Sequence, residues 1–216
     1  MILTPDQMRA LYGRLAPFYD AAVLPFRALG LDRHRRLAVR SLALRPGDVV
    51  LDLGCGTGLN FPALHEAVGS RGRIIGVDLT AEMLDKARER AERAGFENVE
   101  LIQADLATQE MPAGMAGALA TYVLEAVPGY DSVVRAIAAA LPAGGRLASY
   151  GLKRPDRWPE ALIVLGRWLM RPFGVDRAYE SFKPWLSIER HLTLVEHREL
   201  LLGAAYLAVG ERRRAT

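Results

Sequence analysis

Cysteine occurs once in 216 residues, at Cys55, which excludes an internal disulfide framework and any metal site built of thiolates alone. Lysine is almost missing: only Lys86, Lys153 and Lys183 are present, and arginine supplies the remaining cations of a chain whose formal net charge is +3. No basic stripe with interleaved aromatics runs along the chain, so no nucleic-acid partner is expected. The longest basic cluster, Arg212-Arg213-Arg214, reads as a solvated tail. No run of about 18 apolar residues occurs, so no membrane span is predicted. The nearest approach, Ala161 to Met170, is interrupted by Arg167. A signal peptide's basic start and unbroken apolar stretch are also lacking, and a cytoplasmic address follows, with peripheral contact to an anionic membrane left open. His34, His65, His191 and His197 show no ligand spacing, and no metal is expected.

Half of the residues are apolar and a quarter charged, the balance of a globular domain large enough to bury one core. Thr4-Pro5-Asp6-Gln7 predicts a helix start, with a Thr cap, a first-turn proline and Gln three residues on. That helix carries Met8, Leu11, Tyr12 and Leu15 and ends before Pro17. A second, arginine-rich helix is expected from about Phe26 to Leu42. From Val49 the chain alternates, with strands at 49–53, 73–77, 99–103, 118–123 and 145–151 and helices at about 59–68, 81–95 and 130–141. In the second of these helices Met83, Leu84, Ala87, Ala91 and Ala94 form the inner face, with Glu82 and Lys86 paired outside. Alternation at this spacing argues for an α/β fold with a doubly wound, mostly parallel sheet, because parallel neighbours need crossover helices. The expected layout is a single domain: an N-terminal helical cap (1–45), a core (46–152), a lid (153–191) holding all three tryptophans, and a final strand pair (192–211) at the sheet edge.

The strongest chemical signal is Val50-Leu51-Asp52-Leu53-Gly54-Cys55-Gly56-Thr57-Gly58. Its glycines permit a sharp turn off a strand, and the next helix aims its N-terminal amides into that turn. A dinucleotide fold spaces its glycines G-x-G-x-x-G to receive a pyrophosphate. Here the spacing is G-x-G-x-G, with an acid two residues before the first glycine, which repels phosphate and suits a ligand carrying ammonium and sulfonium charge. Asp78 ends the second strand, where a carboxylate can accept hydrogen bonds from both ribose hydroxyls. Asp105, just past the third strand, is placed to accept from an adenine amino group. Either acid alone also reads as a turn or cap residue; acids and glycines at three successive strand ends read as one site.

At VLDLGCGTG, GVDLTAEML and IQADL the chain resembles the class I S-adenosylmethionine-dependent methyltransferases, in the UbiE-like small-molecule and lipid group. The resemblance covers residues 12–152 and implies a Rossmann-like seven-stranded sheet with an antiparallel last strand and a helical lid inserted after strand five. It implies S-adenosylmethionine as cofactor, with Gly54, Cys55, Gly56, Thr57, Gly58 and Asn60 under the methionine part and Asp52 ordering its amino end. It places Asp78 on the ribose, Leu79 and Met83 beside the adenine, and Ala104, Asp105 and Leu106 at the adenine edge. Thr121 and Tyr122 then face the methyl group, while Tyr12 and Phe18-Tyr19-Asp20 close over the cofactor. Ala116-Gly117-Ala118 departs from the acid usual before strand four, and Pro142-Ala143-Gly144-Gly145 from the usual Lys-Pro-Gly-Gly.

Methyl transfer is an in-line displacement that needs donor and acceptor held together in a dry pocket. Tyr122, Glu125 and Tyr19 are the catalytic candidates; Tyr122 reads equally as packing and Glu125 as a turn cap. Cys55 reads as a small space-filler. Asp32-Arg33-His34-Arg35-Arg36 reads as a solvated helix face or a contact for an anionic headgroup. Trp158, Leu162, Leu165, Trp168, Leu169, Met170 and Phe173, punctuated by Arg157, Arg167 and Arg171, read either as a core-packed lid helix or as an interfacial surface. The expected acceptor is amphiphilic, a lipid headgroup amine or a lipoquinone; a soluble aromatic acceptor and a non-enzymatic cofactor sensor are the alternatives.

Overall fold

The structure, a computed structural model, describes residues 3–28, 30–175 and 177–213; Arg214 of the terminal arginine cluster lies outside them. The N-terminal cap opens with α1 (Pro5–Leu15), whose capping box pairs the Thr4 side chain with the Gln7 backbone and the Gln7 side chain with the Thr4 backbone. The single helix expected over 26–42 is instead two, α2 (Tyr19–Ala28) and α3 (Leu31–Ser41). Gly30, at φ 100°, adopts a backbone state that other residues seldom reach, and the chain turns there.

The core follows in the expected alternation: β1 (Val49–Leu53), α4 (Phe61–Val68), β2 (Arg73–Asp78), α5 (Ala81–Ala94), β3 (Val99–Gln103), β4 (Gly117–Thr121), α6 (Tyr130–Ala140) and β5 (Arg146–Leu152). After β5 come α7 (Glu160–Met170), α8 (Pro184–His191), β6 (Thr193–Leu200) and β7 (Ala205–Glu211). The seven strands lie in the order β3-β2-β1-β4-β5-β7-β6. β1 to β5 pair in parallel, and β7 runs antiparallel to both its neighbours. β1 and β4 pair across the point where strand order reverses, and the crevice above their carboxyl ends is where ligands bind in such sheets.

Each sheet face buries its own core. Ala38 and Val39 of α3, Phe61 and Leu64 of α4, and Leu84 and Ala87 of α5 cover one face. Val133, Val134 and Ile137 of α6 and Ile188 of α8 cover the other. The segment expected as a lid therefore divides: α8 packs on α6, while the 3₁₀ turn Arg171–Phe173 that follows α7 sits on the N-terminal helices.

Three local expectations change. Ala94 is exposed, because α5's buried stripe ends at Ala91. Lys86 pairs with Glu89 at 3.0 Å, while Glu82 lies against Gly13 of α1. Arg212 is no solvated tail: its Nη1 donates to the Ala138 and Leu141 carbonyls, which the end of α6 leaves without helical partners.

Candidate active site

β1, β2, β3 and β4 end level with one another, so Leu53, Asp78, Gln103 and Thr121 meet at the same edge. The glycine loop leaves β1 there. Gly58, at φ 76°, has no room for a Cβ, which would meet the Phe61 ring at 2.5 Å. Gly56, at φ 55°, has nothing within 4 Å of where a Cβ would stand, so its bare backbone faces open space. A cradle that a side chain would fill is what a ligand lying against this loop requires.

Asp78 accepts from the Gly56 backbone N–H at 2.8 Å and from that of Thr80 at 2.9 Å. Burial raises its pKa above the ordinary carboxylate value, and these backbone donors oppose the rise. The acid thus ties the loop to the second strand end. Met83 is fully buried on α5 behind it, and Leu79 is partly exposed. Asp105 closes the turn after β3, its Oδ1 accepting from the Ala107 N–H at 2.9 Å. Ala104 is held to Asp78 through a backbone bond of 3.0 Å. Leu106 is buried in the second core, so it backs this turn instead of lying open at the strand end.

Beneath the loop lies a sealed polar cluster. The Asp52 carboxylate, fully buried, accepts from Asn60 Nδ2 at 2.9 and 3.2 Å. Asn60 Nδ2 also donates to Thr121 Oγ1 at 3.0 Å, and Asn60 Oδ1 accepts from Arg35 Nη1 at the same distance. Asn60 and Thr121 are consumed in this cluster, and their side chains brace the site from below. Burial pushes Asp52 up to about 7, with the Asn60 bond and the Arg35 charge opposing.

Arg35 is the residue that the sequence pattern hides. The arginine-rich stretch of α3 reads as solvated, yet Arg35 is buried, donates to Thr121 Oγ1 at 2.9 Å and leaves Nε without a partner. No carboxylate lies within ion-pair distance of it among the described residues. Its hydrogen-bond partners are neutral and Asp52 reaches it only across Asn60, so its free Nε can still take an anion. Its contacts join residues 25 and 86 positions away in sequence, so no local spacing announces them.

On the acceptor side, Tyr122 follows β4 with φ 59°, a strained state for a non-glycine residue. Its ring meets Tyr150 edge-on at 4.8 Å and lies 5.3 Å from the Arg35 guanidinium carbon, and burial, with the Tyr150 hydroxyl alongside, raises its phenol pKa well above the ordinary value. His34, on the same helix as Arg35, brings Nδ1 within 3.4 Å of the Tyr150 hydroxyl and so belongs to this wall rather than to a solvated face. Glu125, in the 3₁₀ turn Leu124–Ala126, lies against Gly151 with Oε1 buried and unpartnered, and burial pushes its pKa up to about 7. His191 is paired with Asp131 on α6 at 3.2 Å, outside this cluster.

The cap closes from above. Tyr12 and Tyr19 stand 6.2 Å apart, ring to ring, with Tyr19 edge-on to Phe173 at 5.9 Å and the Tyr12 hydroxyl donating to the Phe173 carbonyl at 3.1 Å. Burial raises both phenols above the ordinary tyrosine value. Asp20 latches α2 to the loop, accepting from Thr57 Oγ1 at 2.7 Å and pairing with Arg90. Arg90 Nε also donates to the Thr57 carbonyl at 2.7 Å. Cys55 is buried in the first core with its sulfur against Gly76, and burial raises its thiol pKa. Among the described residues no group of three His, Cys, Asp or Glu is placed to hold a metal ion.

The chain is similar to known proteins over most of its length. A family model described as a methyltransferase domain matches residues 44–158. The chain is 34% identical to a 2-phytyl-1,4-naphtoquinone methyltransferase of Synechococcus elongatus, over 97% of this chain and 99% of that protein. It is 26% identical to a demethylmenaquinone methyltransferase of Listeria welshimeri, covering 84% of this chain and 79% of the relative. The solved structure of a SAM-dependent methyltransferase from Aquifex aeolicus superposes with a TM-score of 0.62 at 18% identity, over 97% and 99% of the two chains.

Proposed function

Since the chain belongs to the methyltransferase-domain family and is an S-adenosylmethionine-dependent enzyme, we propose that its acceptor is a reduced lipoquinone, methylated on a ring carbon. The observation that carries this reading is the similarity, over nearly the whole of both chains, to a protein named for a phytylated naphthoquinone. The pocket's chemistry supports it. Tyr122, partly exposed and backed by the buried Tyr150 ring, offers an aromatic wall for a naphthoquinol. The lipid-amine reading has no such support.

The residues present fit the cofactor. The open backbone of Gly56 takes the methionine part, Asp78 the ribose hydroxyls, and Asp105 the adenine amino group, with Leu79 and Met83 alongside. Asp52 would answer the ammonium and Arg35, whose Nε has no partner, the methionine carboxylate. Tyr12 and Tyr19 exclude water from above, which strengthens every charge interaction beneath them. When bound, S-adenosylmethionine supplies an electrophilic methyl group on a sulfonium. Glu125, with a pKa near neutrality, takes the quinol's hydroxyl proton, which makes the ring carbon nucleophilic.

The test is methyl transfer from radiolabelled S-adenosylmethionine in detergent micelles holding either a reduced phytylated naphthoquinone or phosphatidylethanolamine. Label on the naphthoquinol is the expected outcome. Label on the amine lipid, or on neither while a soluble phenol is methylated, overturns the reading.

A further inference from the structure

α7 is built inside out. Arg167, the one charged residue in its interior, lies on the protein side, paired with Glu180 at 2.8 Å. Its first residue, Glu160, is paired with Arg154. Ile163 alone is buried, whereas Leu162, Val164, Leu165, Trp168 and Leu169 face solvent, Trp168 with 65% of its surface exposed. At a turn of about 100° per residue, these five span an arc of roughly 160°, a little under half of the helix circumference, without a polar side chain among them. Phe18 and Leu24 of the cap are likewise exposed, the former by 70%, and Phe173 joins the two segments through its edge-on contacts to Tyr19 and Phe26. Contiguous exposed apolar surface of this kind marks an interaction site.

The charges around it identify the occupant. Arg157 and Arg171, at the two ends of α7, are exposed and their side chains have no hydrogen bond or ion pair among the described residues, whereas the nearby acids Asp20, Glu160 and Glu180 each have an arginine partner. A second copy of the chain seated face to face would bring these arginines together and is disfavoured. An anionic bilayer answers both features: it receives leucine side chains and a tryptophan at its boundary and holds arginines at phosphate level.

We propose that α7, with Phe18 and Leu24, is a docking face for an anionic membrane surface. Docking sets the cap at the headgroup layer, with Phe173 linking the inserted helix to the tyrosines that close the site. An acceptor dissolved in the bilayer then reaches the site without crossing water; this consequence, though not the docking, rests on the lipoquinone reading.

The experiment is flotation of the full chain with vesicles of phosphatidylcholine alone and of phosphatidylcholine with phosphatidylglycerol, at low salt. Binding to the anionic vesicles is expected, weaker by at least tenfold for a Leu165→Gln/Leu169→Gln variant and returned toward the neutral-vesicle level by Arg157→Glu/Arg171→Glu. Because these positions are exposed, both variants should keep the wild-type melting temperature and S-adenosylhomocysteine affinity, which separates lost docking from lost folding. No binding to either vesicle overturns the proposal. A dimer in light scattering that the leucine variant dissociates overturns it in favour of a second copy. Methylation of a tail-less naphthoquinol without vesicles reports on the acceptor reading alone, so the two ideas fail separately.

Discussion

In the proposed site Arg35 and Asp78 would hold different parts of the cofactor, and their contrast makes the assignment testable one residue at a time. Asp78 was legible from sequence because a strand end, a glycine loop and an acid are local features with fixed spacing. Arg35 was not, because a helix reading Asp-Arg-His-Arg-Arg is most often a solvated face, and only the fold brings α3 beneath Thr121. Loss of a charge-assisted hydrogen bond costs about 1.5–3 kcal/mol. Asp78→Ala should therefore weaken S-adenosylhomocysteine and methylthioadenosine alike by that amount, since both carry the ribose. Arg35→Gln should weaken only S-adenosylhomocysteine, because methylthioadenosine has no carboxylate to lose. Calorimetry with the two ligands decides it, and an Arg35→Gln variant that binds both as wild type does would remove Arg35 from the site.

Among the elements, those with a strong period were readable, and those whose role depends on a neighbour were not. β1 to β5 and their crossover helices follow from apolar runs alternating with amphipathic stretches, and each lies within a few residues of its expected bounds. The break between α2 and α3 was hidden because arginines and apolar residues continue smoothly through Gly30, and only its backbone state ends the helix. α7 was ambiguous for a deeper reason: leucines and a tryptophan at helical spacing identify an apolar face without saying whether protein covers it. α2's role also depends on a neighbour, since Asp20 meets Thr57 and Arg90 only after α5 has packed beside the loop. Both partners are partly solvated, so the latch contributes little to global stability. Its effect should fall on cofactor retention instead. Asp20→Asn should speed S-adenosylhomocysteine release several-fold in stopped-flow measurements while shifting the melting temperature by about 2 °C or less. A large melting shift with unchanged release would make the contact structural.

At the scale of the whole molecule, burial favours the neutral forms of three carboxylic acids, Asp52, Glu125 and Asp78, and stability must respond to pH accordingly. Asp52 rises from 3.8 to about 7 and Glu125 from 4.5 to about 7, each because burial opposes ionisation. Between those limits the folded chain holds protons that the unfolded chain has released, so stability falls as pH rises from about 4 to 7 and then levels off. For Asp52 alone the cost on reaching neutrality is roughly 4 kcal/mol, with Glu125 adding a somewhat smaller penalty. Asp131 and Asp156 have lowered pKa values, but they titrate below this window. An Asp52→Asn/Glu125→Gln variant keeps the shape of both groups and removes their titration. Its free energy of unfolding, measured without cofactor, should gain on the wild type by several kcal/mol between pH 4 and pH 8. A difference that stays constant across that range would mean that both acids ionise normally, and Glu125 would then lose its standing as a base poised near neutrality. If the difference tracks pH as expected, a cation near Asp52, as the proposed cofactor site would supply, should recover part of the lost stability, because the hydrogen-bond donor that the folded chain gives Asp52 is the neutral Asn60 amide.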